Sequence, residues 1–228
     1  MIYLYSGTPG SGKSYHASKE IYDNLFVNKN VIANFEINRA VARMTFLGYL
    51  KYKLHKRFNI NFKKYNQYRK SGKFFYVDNS YMTPQFLLRY AQKFHKSRRE
   101  GQTLVVIDEC GVIFNPRSWD GKARMEWIKF FSMHRHYGFD FILISQSDRM
   151  IDRQIRCLLE YDVKHRDAKN FGFFGKLFSL FCKNHFFAGI TYWYGIKEKV
   201  GIEFLLVRNR IFDLYDTFKV FNGEEQKQ

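Results

Sequence analysis

The sequence predicts an α/β fold: a mainly parallel central sheet flanked by helices, with a small, partly antiparallel C-terminal extension. Three observations predict it. Residues 103–107 (TLVVI) and 139–144 (FDFILI) are short, nearly continuous apolar runs of the kind found in parallel strands buried on both faces. Between such runs lie segments whose apolar residues recur at helical spacing. A glycine-rich loop at residues 7–14 separates the first apolar run, residues 2–5, from the first of these segments, giving the order strand, loop, helix.

In chain order, Ala17, Ile21 and Leu25 recur four apart and predict a helix over residues 13–28. Residues 31–37 are apolar and branched enough for a second strand, and residues 74–77 for a third. Between them, residues 39–73 read as a basic insertion, helical around residues 40–54. The stretch contains no acidic residue, and Lys51, Lys53, Lys56 and Arg57 alternate with Tyr49, Tyr52 and Phe58. Thr83 offers an N-cap and Pro84 suits the first helical position, so a helix should run towards Glu100 and stop at Gly101. Met125, Ile128 and Phe131 place another helix over residues 122–137, ended by Gly138. Residues 148–159 read as helix, and residues 160–164, 186–194 and 202–207 as strands. The polar tail, residues 223–228, is expected to fray.

The length of 228 residues suits one α/β domain with a small appendage. The expected division is a core over residues 1–166, carrying the insertion, and a β-rich extension over residues 167–228 packed on it. Apolar residues make up 46% of the chain, which excludes wholesale disorder. The net charge of +17 points to a polyanionic partner, nucleic acid or an anionic membrane surface. Cys110, Cys157 and Cys182 form no close pair, so neither a disulfide framework nor a zinc site is expected. Met1 leads into an apolar strand without a basic leader, so a signal peptide is not expected. The longest apolar stretch, residues 171–182, falls short of the roughly 20 residues needed to span a bilayer.

Gly7, Thr8, Pro9, Gly10, Ser11, Gly12, Lys13 and Ser14 satisfy G-x-x-x-x-G-K-[ST], and the motif stands between a strand and a helix, as its chemistry requires. Glycines let backbone N–H groups turn inward around phosphate oxygens, and the start of the following helix adds the positive end of its dipole. Lys13 supplies charge to the β and γ phosphates, the Ser14 hydroxyl is placed on magnesium, and Tyr15 completes the nucleotide-binding run. The fold expectation therefore sharpens to a P-loop nucleoside-triphosphatase (NTPase), with ATP and Mg²⁺ as ligands. Asp108 and Glu109 end a buried strand, and we assign Asp108 to the magnesium shell and Glu109 to water activation. Ser145 and Gln146 abruptly end the next apolar strand, which puts the Gln146 amide near the γ-phosphate. His134 and His136 are two apart and would not share a helix face, so a metal site is not expected there.

These segments, together with residues 134–138 (HRHYG) leading into residues 142–146 (ILISQ), resemble the zonular occludens toxin (Zot) family, which includes the assembly and export ATPases of filamentous phages. The resemblance runs from residue 1 to about residue 166, continues through residues 151–156, and includes Tyr215-Asp216-Thr217, similar to a motif near the end of the family domain. It implies an ATP-hydrolysing motor at the cytoplasmic face of the inner membrane of an infected cell, extruding a single-stranded DNA virion as coat protein assembles around it. It also implies a homo-oligomeric ring in which an arginine of one subunit completes the site of the next; Arg135, Arg149 and Arg153 are the candidates. Two features depart from the family: no membrane-spanning helix is readable, so a membrane partner or an amphipathic surface would be needed, and residues 39–73 match no family motif. The alternative is a nucleotide-dependent binding module or switch on nucleic acid or membrane, holding ATP without appreciable turnover.

Overall fold

A computed structural model describes residues 1–58, 69–97, 99–117, 121–167 and 186–215. The expectations for residues 171–182 and 223–228, and for Asp216 and Thr217, lie outside these. The apolar runs form strands β1 (Ile2–Ser6), β2 (Asn30–Ala33), β3 (Phe74–Tyr76), β4 (Thr103–Ile107) and β5 (Phe139–Ile144). Three further strands follow: β6 (Tyr161–Asp167), β7 (Phe186–Trp193) and β8 (Lys199–Leu206). All eight join one sheet in the order β3-β2-β4-β5-β1-β6-β7-β8. The first six are parallel, and β7 and β8 add antiparallel to the β6 edge. This is the α/β fold with the partly antiparallel C-terminal extension that the sequence predicts.

Strand alternation explains why the central runs are apolar throughout. Leu104 and Val106 of β4 face a cluster with Ala17, Ile21 and Leu25 of helix α1 (Lys13–Phe26). Val105 and Ile107 face the other way, onto Leu87 and Tyr90 of α4 (Pro84–Phe94) and Trp127, Phe130 and Phe131 of α5 (Gly121–Ser132). With both faces covered, neither parity of the strand can be polar.

Several helices are shorter than their spacing predicts, and a polar side chain is hydrogen-bonded at each new boundary. The basic insertion breaks into α2 (Arg39–Arg43) and α3 (Phe46–Phe58), because Met44 turns extended and the Thr45 hydroxyl accepts from the Gly48 amide. α4 starts as expected, with Thr83 capping the Phe86 amide and Pro84 in its first turn. It stops at Phe94, where His95 leaves the helix to bond the Tyr137 carbonyl and the Thr103 hydroxyl. Beyond α5, His134 bonds the Phe131 carbonyl and residues 133–138 form turns. The helix expected over residues 148–159 divides into a 3₁₀ turn, Asp148–Met150, and α6 (Arg153–Arg156), with Ser147 and Asp152 each capping one piece. A short helix, α7 (Asn209–Phe212), follows β8. Among the described residues no helix is long and apolar enough to cross a membrane.

Candidate active site

The loop between β1 and α1 has the backbone that phosphate binding requires. Gly7 sits at φ +144°, and a Cβ there would lie 2.7 Å from the His165 carbonyl oxygen. Gly12, the residue before α1, is left-handed at φ +94°, and a Cβ would run into the Phe187 ring. Any other residue at either position would be strained and would have to displace its neighbour. Among the described residues no side chain caps the start of α1, so its first amides remain available to an anion. Lys13 Nζ donates to the carbonyls of Gly7 at 2.7 Å and Thr8 at 2.9 Å, which folds its charge into the bowl of the loop. Burial pulls the Lys13 ammonium below the usual lysine value, and Asp108 opposes that shift.

Asp108 leaves β4 at the same end of the sheet. Its backbone is clamped by one side chain: Asn34, immediately after β2, accepts from the Asp108 amide at 2.7 Å and donates to its carbonyl at 2.8 Å. The Asn34 amide nitrogen also reaches Asn79 Oδ1 at 2.8 Å. Asn34 thus continues the β2–β4 ladder by one side-chain rung and fixes where Asp108 emerges. The Asp108 carboxyl is raised above its ordinary range by burial, while the Glu109 amide, which donates to Oδ1 at 2.9 Å, acts the other way. Glu109 itself is exposed and left-handed, at φ +46°, on the turn out of β4.

Tyr215 joins the two residues assigned to metal. Its hydroxyl donates towards Asp108 Oδ2 at 3.4 Å, and it lies close enough to the Ser14 side chain to interact with it. Ser14, Asp108 and Lys13 are therefore gathered at one point. A hydroxyl and a carboxylate beside a phosphate cradle are hard oxygen donors suited to Mg²⁺. Ser11 Oγ, buried in the loop, has no hydrogen-bond partner among the described residues. Among the described residues there is no cluster of three His, Cys, Asp or Glu side chains able to hold a metal.

Gln146 follows β5, which lies between β1 and β4. Its carbonyl accepts from the Gly7 amide at 3.4 Å, and its side chain is exposed on a cleft of about 1150 Å³ that also borders residues 6–11. A smaller pocket of about 290 Å³ lies on the other side of the loop, lined by Tyr15, Phe187, Ile211, Phe212 and Tyr215. The three arginines are separated. Arg149 and Arg153 are exposed on the connection between β5 and β6. Arg135 precedes β5, at the opposite end of the parallel sheet, and is paired with Glu160. The structure does not bring Arg135 to the site of its own chain.

Behind the loop lies a buried pair that sequence reading missed. His16 Nδ1 and His165 Nε2 are 2.8 Å apart, and His16 Nε2 lies 3.3 Å from Glu203 on β8. Burial, with His16 beside it, lowers the His165 pKa to about 3, and the His16 hydrogen bond lowers that of Glu203 to about 2. Asn34 was missed as well, although a polar residue ending an apolar run is the same signal that singled out Gln146.

Comparison with known proteins follows this geometry. The family model described as zonular occludens toxin (Zot) matches residues 1–219. The Gene 1 protein of Enterobacteria phage f1 is 30% identical over 131 residues, which cover 53% of this chain and 37% of that protein. The Gene 1 protein of Enterobacteria phage I2-2 is 31% identical over 134 residues, covering 54% and 36%. The match spans little more than a third of the length of these relatives. The N-terminal domain of zonular occludens toxin from Neisseria meningitidis superposes with a TM-score of 0.50 at 15% identity, covering 94% of this chain and 98% of that one. A DnaB-like replicative helicase does so with a TM-score of 0.56 at 12% identity, covering 90% and 55%. At such identities the structural likeness is one of fold: the parallel sheet and phosphate loop of the P-loop NTPases.

Proposed function

The chain belongs to the zonular occludens toxin (Zot) family, and we propose that it is an ATP-binding and hydrolysing motor for filamentous phage assembly, exporting single-stranded DNA virions through the inner membrane. The observation that carries this reading is the convergence of Lys13, Ser14 and Asp108, with Glu109 adjacent, against the uncapped start of α1. In this reading the first amides of α1 take the phosphate oxygens, and Lys13 exchanges the Gly7 and Thr8 carbonyls for the β and γ phosphates. Magnesium held by Ser14 and Asp108 supplies charge neutralisation at the phosphates. Glu109, exposed beside Asp108, accepts a proton from the attacking water, and Gln146 registers the γ-phosphate. The buried β4 strand and the Asn34 clamp keep Asp108 and the turn to Glu109 in place while this happens.

The remaining parts of the proposal concern partners. The motor works as a homo-oligomeric ring at the cytoplasmic face of the inner membrane, acting on single-stranded DNA or coat protein, with Arg149 or Arg153 offered to a neighbouring subunit. The exposure of both arginines on the connection that follows β5 supports that role. Contact with a polyanion falls to α3, where only Gly48 is buried: Phe46 is 74% exposed, and Lys56 and Arg57 crowd the last turn. The test of the site is Lys13→Ala, expected to weaken ATP binding by about 10²-fold, the scale for removing one member of a hydrogen-bonded charge pair. Unchanged ATP affinity in the folded variant, measured by calorimetry, would overturn the assignment.

A further inference from the structure

Resting on that reading of the site, we propose that the Tyr215 hydroxyl holds the magnesium seat in the nucleotide-free chain and is expelled when the metal–nucleotide complex binds. The hydroxyl lies between the two groups that would share a metal shell: it reaches Asp108 Oδ2 at 3.4 Å and the Ser14 side chain. An octahedral Mg²⁺ keeps ligands at about 2.0–2.1 Å and retains several waters. Such a shell would be held by the Ser14 hydroxyl and the Asp108 carboxylate, and the phenol oxygen lies beside both groups.

Tyr215 is delivered there by an anchored strap. The ring packs edge-on against Phe35, with centroids 5.0 Å apart. Leu214 is fully buried, and its carbonyl accepts from the Asn38 amide at 2.9 Å. Asp213 accepts from the Tyr49 hydroxyl at 2.7 Å and pairs with Lys53 at 3.2 Å. At the strap's start, the Arg208 amide donates to the Tyr15 hydroxyl at 2.9 Å. With residues 208–214 pinned to α1, α3 and the β2–α2 connection, the displacement is confined to the Tyr215 side chain, which returns when the nucleotide leaves. A group that occupies the seat only in the metal-free state weakens metal-dependent binding and leaves metal-free binding untouched.

Tyr215→Phe keeps the ring on Phe35 and removes one oxygen. Calorimetry should show Mg·ATP binding about three- to tenfold tighter than in the wild type, the scale of one ordinary intramolecular hydrogen bond no longer broken. ATP binding in EDTA should be equal in the two proteins. A second readout keeps the wild-type side chain. In fluorotyrosine-labelled protein, the ¹⁹F resonance missing from Tyr215→Phe should move on adding Mg·ADP and stay put on adding ADP with EDTA. Equal or weaker Mg·ATP binding in the variant, or a resonance that ignores the metal, overturns the proposal. A wild-type chain that binds no ATP at all overturns the nucleotide-site reading beneath it, whereas binding with unchanged metal dependence overturns this inference alone.

Discussion

Asn34 shows how a single side chain can fix the backbone of a proposed metal ligand, Asp108. Its carboxamide takes both backbone groups of Asp108 and a third bond to Asn79, so removing it leaves a partly buried amide and carbonyl without partners. Asn34→Ala should therefore destabilise the fold by about 1–3 kcal/mol. It should also loosen Mg²⁺-dependent nucleotide binding, and thermal melting with and without Mg·ATP measures both. A wild-type melt with a wild-type ligand shift would remove Asn34 from the site. At this scale, Lys13, Ser14 and Asp108 were legible because each sits at a fixed offset from an apolar run or a glycine. Asn34 stood out only as a polar residue after an apolar run; its role comes from the pairing of β2 with β4, which that signal does not reveal. Tyr215 was visible only as part of a motif, and its proximity to Asp108 required the fold.

The loop and the extension meet through one cluster of elements. α1 carries His16, β6 carries His165, and β8 carries Glu203 at the far antiparallel edge, so the helix that starts at the phosphate loop is tied to the extension by side-chain hydrogen bonds. Lys19 adds a 3.2 Å bridge to the same glutamate. This arrangement has a pH signature. The His165 pKa falls from 6.5 to about 3 on folding, so between those values the unfolded chain binds a proton that the folded chain refuses. The contribution is fully present above about pH 6.5 and is lost as pH falls towards 3, at up to about 1.4 kcal/mol per pH unit for one proton. Replacing His165 by Gln should flatten the stability profile in that window, as read by denaturant unfolding at a series of pH values. An unaltered slope would show that His165 is already protonated or already neutral in both states. Element bounds were legible where burial is two-sided, as in β4 and β5, and misjudged where a polar side chain stops a helix, as His95 does for α4.

For the whole molecule, the strand order decides what the site can be. β5 lies between β1 and β4, so the phosphate loop, Gln146 and Asp108 follow three neighbouring strands at one end of the sheet. The sequence supplied the strands and, for β4 and β5, their ends, but the order had to come from the structure, because crossovers leave no local trace. The same holds for β7 and β8, which join the main sheet at its β6 edge. The net charge of +17 was legible at once, whereas the face that carries it was not. With α3 as that face, neutralising Lys51, Lys56 and Arg57 should weaken binding to single-stranded DNA or anionic vesicles. For DNA, the log–log salt slope should become shallower by about 0.7 per lost phosphate contact. Unchanged binding to both would leave α3 a solvated helix.

The central claim, that the phosphate loop with Asp108 and Glu109 turns over ATP, is tested most directly by phosphate release from Glu109→Gln protein whose Mg·ATP binding is measured in the same sample. The account predicts wild-type binding with turnover reduced by about 10²- to 10⁴-fold, the scale of a lost general base. Undiminished hydrolysis by that variant would contradict it.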